Sequence, residues 1–339
     1  MRHLEEQGQA WRTFAGRYGS HFLKMFHEMG QTNIAGSWSA NAPNRIGAGF
    51  RNEPGFVRFV SGMKDVVVHR SYYPVLDLLP ADVPVVVTLH DMYWEASGTN
   101  QSLRFWLHSR LKRKALARAD RIVCISRFTL DELVRYWPEF ADKAEVIYHG
   151  VTALAPCLPG DQTVHDRFVF VGDRGNRKNF EAAVAGLAHS GLERHELLCI
   201  GGGAFTAGEQ SMIERYGLTG LVKQSPADDK ALAAFYSQSA ALIYPSTYEG
   251  FGMPLLEAML HGCPVIAARA SCLPEVGGDA AIYADPHDHM AWGAAMRDIC
   301  KPALRAEMLA RGYDRVKVFT WQEIAIRYMA VYKRLLIRG

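Results

Sequence analysis

The run Tyr248-Glu249-Gly250-Phe251-Gly252-Met253-Pro254-Leu255-Leu256-Glu257 sets two carboxylates eight positions apart across a Gly-Phe-Gly turn. The apolar stretch Ala240 to Tyr244 before it reads as a strand. Pro254 to His261 after it reads as a helix, closed by Gly262 and Pro264. Proline fits a first helical turn because its missing N–H has no intrahelical partner there. The glycines let backbone approach a ligand closely, and the open N–H groups at a helix start favour an anion. Glu257, about one turn inside the helix, is better placed for a hydroxyl than for a phosphate. The segment reads as a site for a ligand with hydroxyls on both sides of a phosphate, the pattern of a nucleotide sugar. An ordinary strand–turn–helix junction with two surface glutamates is the competing reading of these residues taken alone.

A second stretch, Phe168-Val169-Phe170-Val171-Gly172-Asp173-Arg174-Gly175-Asn176-Arg177-Lys178-Asn179-Phe180, runs from an apolar strand through a glycine-containing loop with three cations into a helix. Backbone N–H groups and fixed positive charge there suit a diphosphate. Arginine grips phosphate in a fork, and lysine acts as a point charge. A solvated basic loop is the alternative. The third stretch, Val85-Val86-Val87-Thr88-Leu89-His90-Asp91, ends a β-branched strand in His-Asp. Ligands of open α/β sheets bind at that carboxyl edge, although a lone histidine at a strand end also serves structure. Asp91 either orients the His90 ring or caps the next turn.

Other segments carry weaker signals. Gly201-Gly202-Gly203 follows a strand and reads as a turn or as an approach to a nucleotide. The segment 104–121 holds Arg104, Arg110, Lys112, Arg113, Lys114, Arg118 and Arg121 among Phe105, Trp106, Leu107, Leu111 and Leu116. It suits an anionic membrane surface or an acidic acceptor, or else a solvated helix face over a buried stripe. No aspartates stand as D-x-D, the arrangement that commonly holds a donor diphosphate through a divalent metal. Asp285-Pro286-His287-Asp288-His289 reads as a loop before a helix at Met290 rather than as a metal site.

These residues need a scaffold. Strand-length apolar runs alternate with helix-length amphipathic segments, the pattern of parallel α/β domains. The strands expected are 66–68, 83–89, 121–125, 144–148, 168–171, 197–200, 242–244 and 265–267. The helices expected include 105–119, 127–137, 180–189, 208–216, 229–239 and 290–300. Residues 151–166, with two prolines, read as a linker. The length of 339 residues accommodates two domains. They are placed at 1–155 and 165–320, with a helix at 321–339 that packs on its own domain or crosses back to the first. A net charge of +3 is too small to imply nucleic acid. Six cysteines without a C-x-x-C pair argue for a reducing compartment and against a disulfide framework. The charged opening Met1-Arg2-His3-Leu4-Glu5-Glu6 is no signal peptide, and no apolar run is long enough to span a bilayer. The expected location is the cytosol or the cytosolic face of a membrane.

The motif E-G-F-G-M-P-L-L-E resembles the paired-glutamate motif of retaining glycosyltransferases of family 4. Tyr244-Pro245-Ser246, Gly262-Cys263-Pro264-Val265-Ile266, Leu273-Pro274-Glu275-Val276 and Gly278-Asp279-Ala280-Ala281 follow the same pattern. The V-G…R-K-N loop is similar to the family's donor-phosphate loop, and V-T-x-H-D to its first-domain histidine. Many members carry arginine directly after the loop glycine; here Asp173 stands there, with Arg174 next. The resemblance covers about 65 to 335. Residues 1–60 carry little of it, because the opening shows no first strand. Only Gly16-Arg17-Tyr18-Gly19 and Phe22-Leu23-Met25-Phe26 look like the tail of the family's glycine-rich loop and its helix.

The resemblance implies two Rossmann-like domains facing across a cleft, the GT-B architecture, and metal-independent transfer with retention. The donor would be a GDP- or UDP-hexose, with mannose preferred, and the acceptor a glycan or lipid-linked sugar in surface-polysaccharide synthesis. His90, Glu249 and Lys178 are the implied catalytic residues. Arg174, Arg177, Lys178, Gly250, Phe251, Gly252, Met253, Pro254, Leu255 and Glu257 are the implied donor-binding residues, and Lys223-Gln224-Ser225-Pro226 falls where the family binds the base. A phosphorylase, a nucleotide-sugar hydrolase and a non-catalytic sugar-nucleotide binder are the alternatives.

Overall fold

The computed structural model describes residues 13–18, 34–38, 45–98, 103–154 and 165–337, with side chains described from 53 onward except at 104. The chain divides into two compact units. The first comprises 1–125, 130–147 and 322–339, and the second 126–129 and 148–321. The main segment of the second unit begins at Tyr148. Tyr148 stands 6.2 Å from the Phe251 ring and 5.6 Å from that of Phe319, so aromatic contact ties it to the second unit.

In the first unit, β1 (Thr13–Tyr18) and β2 (Ile34–Trp38) form a parallel pair. A strand thus stands close behind the opening residues, where the sequence showed none; residues 19 and 22–26 lie outside the described residues. The helix α1 (Arg45–Val60) follows, with Pro54 inside it. A separate sheet takes the order β3 (Val68–Arg70), β4 (Val85–Leu89), β5 (Arg121–Cys124), β6 (Ala144–Val146), all parallel. Every residue of β4 is buried. A β-branched run covered on both faces is what a central parallel strand requires. The helices α2 (Tyr93–Ala96), α3 (Leu103–Arg118) and α4 (Arg127–Tyr136) lie between these strands in sequence, α4 beginning in residues grouped with the second unit.

The second unit carries a six-stranded parallel sheet. Its strands are β7 (Arg167–Val171), β8 (Glu196–Ile200), β9 (Val222–Ser225), β10 (Ala241–Tyr244), β11 (Val265–Ala268) and β12 (Ala281–Ala284), in the order β12-β11-β10-β7-β8-β9. The winding therefore starts at β7, proceeds outward to β9, returns to β10 and proceeds the other way to β12. The reversal lies between β7 and β10, which pair at Ala241 with Phe168 and Leu242 with Val169. Such a reversal leaves a crevice at the carboxyl ends of the two strands. The helices are α5 (Phe180–Ser190), α6 (Ala207–Arg215), α7 (Asp229–Ser237), α8 (Met253–Leu260), α9 (Leu273–Gly277), α10 (His289–Ile299) and α11 (Pro302–Val316). The last helix, α12 (Trp321–Leu336), groups from Gln322 onward with the first unit. Its Tyr332 hydroxyl lies 2.6 Å from Nδ1 of His69 in β3. No described helix is long and apolar enough to cross a membrane.

In the second unit α5 packs directly against α10. A Cβ on Gly293 would stand 2.7 Å from the carbonyl carbon of His189, and one on Gly186 would stand 2.8 Å from Cβ of Trp292. Trp292 is fully buried, and its indole N–H donates to the Asp285 carbonyl at 2.9 Å. Because the atoms facing Gly293 are backbone, they cannot step aside. Gly293→Ala is expected to lower stability by about 1–3 kcal/mol, the usual effect of overpacking a close contact, read as a fall in Tm. An unchanged Tm would mean that the two helices do not hold this spacing in solution.

Candidate active site

The crevice at the reversal of the sheet brings two loops together. The loop after β7 carries Arg177 and Lys178 in a single helical turn, Asn176–Lys178. That turn ends at Asn179, whose φ of +49° opens the way into α5. The loop after β10 carries Glu249 and ends at Gly252, φ +87°, which starts α8. A Cβ at Gly252 would stand 2.7 Å from Cδ2 of Leu273, so only glycine fits that turn. The loops are joined through main chain: the Thr247 N–H donates to the Arg177 carbonyl at 2.8 Å.

Lys178 and Glu249 form a buried ion pair. Lys178 Nζ stands 2.6 Å from Oε1 of Glu249, and both residues are only 8% exposed. The same ammonium donates to the Tyr244 hydroxyl at 3.1 Å and lies 4.9 Å from that ring's centre. Arg177 approaches the other carboxylate oxygen at 3.3 Å. Glu249 is held by its own backbone as well. Its N–H donates to Oγ of Ser271 at 3.1 Å, and its carbonyl accepts from the Cys272 thiol at 3.1 Å. Burial, and then the nearby Glu249 charge, push the Tyr244 hydroxyl well above its ordinary pKa, so it stays neutral.

Glu257 lies on α8, near Tyr236, whose hydroxyl donates to its Oε2 at 3.5 Å. Burial raises the Glu257 pKa, the Tyr236 hydrogen bond offsets this in part, and Asp229 adds to the rise. The Phe251 side chain takes no part in the cluster: it is buried against His149, Tyr148 and Phe319. What Gly250 to Leu255 offer a ligand is the backbone of the turn and of the start of α8.

Arg174 is committed elsewhere. Its guanidinium pairs with Glu209 at 2.7 Å and donates to the carbonyls of Gly201, Gly203 and Ala204 at 2.8–3.0 Å, with its side chain 3% exposed. It holds the glycine loop after β8, whose Gly201, Gly202 and Gly203 all have positive φ. Its charge is matched by protein, so a phosphate would have to displace those partners. Lys223, on β9, likewise pairs with Glu196 at the start of β8. A cavity of about 520 Å³ beside the loop is lined by Asn176, Asn179, Thr206, Glu209 and Met212 among others, and takes in neither Lys178 nor Glu249.

In the first unit, His90 Nε2 stands 2.8 Å from the Ser71 carbonyl and so carries the proton. Asp91 Oδ1 accepts the Tyr93 N–H at 3.0 Å, which shapes the turn that leads into α2. The turn is held from beneath by buried Lys112, which donates to the Asp91 carbonyl at 3.0 Å and to Glu95 at 2.7 Å. Among the described residues no group of three or more His, Cys, Asp or Glu could hold a metal ion. Asp288 instead caps α10. The residues missed on sequence are Tyr244, Tyr236 and Ser271. Tyr244 was visible as a strand end, and nothing in its spacing marked its hydroxyl as a partner of Lys178.

The family model described as Glycosyltransferase Family 4 matches residues 3–153, and that described as Glycosyl transferases group 1 matches 163–315. The first begins at residue 3, so the opening 60 residues belong to the resemblance that their sequence did not display. The O-antigen chain mannosyltransferase B of Escherichia coli is 28% identical over 241 residues, covering 66% of this chain and 62% of the relative. The MMP alpha-(1->4)-mannosyltransferase of Mycolicibacterium hassiacum is 34% identical over 135 residues, covering 38% and 33%. The chain thus spans less than two thirds of either relative. Among solved structures, a glycosyltransferase from Rickettsia africae superposes with a TM-score of 0.71 at 14% identity, covering 100% of this chain and 93% of that one. Anabaena Alr3699/HepE in complex with UDP-glucose gives 0.71 at 15% identity, covering 95% and 91%. These likenesses show the fold, two parallel α/β units of the GT-B class. With the two family models together accounting for most of its length, the chain belongs to the group 1, family 4 glycosyltransferases.

Proposed function

We propose that this chain transfers a hexose, mannose foremost, from a nucleoside-diphosphate sugar to a glycan or lipid-linked acceptor, with retention of configuration, in the synthesis of a cell-surface polysaccharide. The observation that carries this reading is the convergence of Lys178, Arg177 and Glu249 at the reversal of the six-stranded sheet. Cations fixed beside the start of α8 suit a departing diphosphate, because charge developing on the leaving oxygen meets donors already in place. Lys178 and Arg177 stabilise that charge, Glu249 meets the sugar hydroxyls, and Glu257 meets the ribose. His90 is the first unit's contribution to the sugar. As the diphosphate leaves, the sugar carbon becomes oxocarbenium-like, and an acceptor hydroxyl adds on the same face and gives up its proton to the departing phosphate oxygen.

The names of two relatives support mannose. The UDP-glucose of the Anabaena structure keeps UDP beside GDP as a candidate base. Leu103, Trp106 and Leu107 are exposed on α3 near Arg110 and Lys114, which supports contact with an anionic membrane surface or a lipid-linked acceptor. That contact would place the chain at a cytosolic membrane face.

Thermal melting with GDP, UDP, ADP and their hexose conjugates tests the donor class. One base is expected to stabilise the fold by about 2.7 kcal/mol at a hundredfold excess over Kd; no shift with any of them would overturn the reading. Lys178→Ala is expected to lower turnover by roughly 10²–10³-fold, the range for removing one transition-state donor, and an equal rate would remove Lys178 from the leaving group. Glu257 yields a prediction on pH. Its folded-state pKa lies above its ordinary value of 4.5, so the fold disfavours the ionised form, and this destabilisation grows as pH rises through the folded-state value. Glu257→Gln is therefore expected to melt higher than the wild type near neutral pH. The gap should close as pH falls below the ordinary carboxylate range, while donor binding weakens. Equal melting across that range would contradict the burial of this carboxyl.

A further inference from the structure

Glu249 does two things that conflict. In the proposed reaction it meets the donor sugar, yet in the structure it is the counter-ion of the very cations that would receive the diphosphate. A buried ammonium cannot stand unpaired, and among its hydrogen-bonded partners Lys178 has one anion, Glu249, and one neutral oxygen, that of Tyr244. The backbone of Glu249 is held from both sides by Ser271 and Cys272, so any exchange of its carboxylate's partners is a side-chain movement within reach of the cations.

We infer that Glu249 is an internal competitor of the nucleoside diphosphate, satisfied while donor sugar occupies its carboxylate and turned against the diphosphate once the sugar has left. The inference rests on the function proposed above. While the intact donor is bound, sugar hydroxyls donate to Glu249 and its charge is drawn away from Lys178. After transfer no hydroxyl remains. The carboxylate returns to the ammonium and the two anions contend for it, which favours release of the spent nucleotide. Tyr244 is the pivot of this exchange. Its hydroxyl and ring hold the ammonium from the protein's side, and its neutrality lets it do so whichever anion is present. Arg177, whose side chain is 35% exposed and whose contact with Glu249 is the longer one, is the cation that turns first toward an arriving phosphate.

Calorimetric titration of GDP and of UDP, without sugar, into the wild type, Glu249→Gln and Tyr244→Phe tests this. Glu249→Gln is expected to bind the free nucleotide more tightly, on the order of tenfold, equivalent to about 1.4 kcal/mol, although its turnover falls. A residue that served only to bind sugar would leave that affinity unchanged, and a purely structural one would lower it; either result overturns the inference. Glu257→Gln removes a carboxyl that meets Tyr236 rather than a cation, and the same tightening there would also overturn it. Tyr244→Phe keeps the ring but removes the hydroxyl that competes with Glu249 for the ammonium, and is expected to weaken nucleotide binding. Should Glu249→Gln fail to melt cooperatively, that weakening carries the test, and unchanged binding by Tyr244→Phe overturns the inference. A wild type that binds neither nucleotide sinks the proposed function and this inference together, whereas wild-type binding without tightening in Glu249→Gln sinks this inference alone.

Discussion

The second unit is organised around one constraint: a parallel sheet wound in two directions from its centre leaves a crevice between β7 and β10, and the loops on either side of it must be held. Main chain joins them at Thr247 and Arg177, and the Lys178–Glu249 pair joins them again through side chains. A buried ion pair adds little net stability by itself. Removing one partner, however, costs about 3–5 kcal/mol, because the other charge is left stranded. The pair therefore acts chiefly as a geometric requirement. Any arrangement of the two loops that separates Lys178 from Glu249 is heavily penalised, and the start of α8 is thereby fixed beside the cations.

A second layer surrounds this one. Arg174 gathers the carbonyls of the glycine loop after β8 and reaches Glu209, which also closes the capping box of α6 with Thr206. Its guanidinium lies 4.8 Å from the Phe205 ring centre and 5.8 Å from that of Phe180. Three loops at one edge of the sheet are thus linked through charges, and the cations divide the work. Arg174 serves the protein, Lys178 is shared with Glu249, and Arg177 is the most open of the three. The departure from the family pattern at Asp173 belongs to this division, with Asp173 accepting the Gly175 N–H at 3.1 Å and shaping the loop.

Much of this was legible in the residues, for reasons that differ by element. The strands β4, β10 and β11 are buried at every position, and continuous apolar runs of four or five residues announce that. The edge strands β9, Val-Lys-Gln-Ser, and β12, Ala-Ile-Tyr-Ala, escaped notice because one is largely polar and the other follows directly on the Gly278–Ala280 turn and is buried only at its two ends. The helix α11 was missed because it buries only Met308, Gly312 and Val316 among exposed polar neighbours. At the site, residue types and glycines marked Glu249 and Lys178 separately. Their pairing across 71 positions could not be read, since it depends on which strands become neighbours. Nor could charge alone separate Arg174 from Arg177: both are arginines in one loop, and only the glycine loop after β8 shows which of them is already engaged.

The grouping of α12 with the first unit bears on how the molecule is made. Everything else in that unit has been synthesised once Ile147 is added, whereas its final helix begins past residue 321. At ordinary elongation rates of about 5–20 residues per second, the interval is roughly ten to forty seconds. During that time His69 lacks its Tyr332 partner. The second unit, continuous from 148 to 321, has all its strands before the first is complete. The order of completion on the ribosome is therefore the reverse of the order in the sequence.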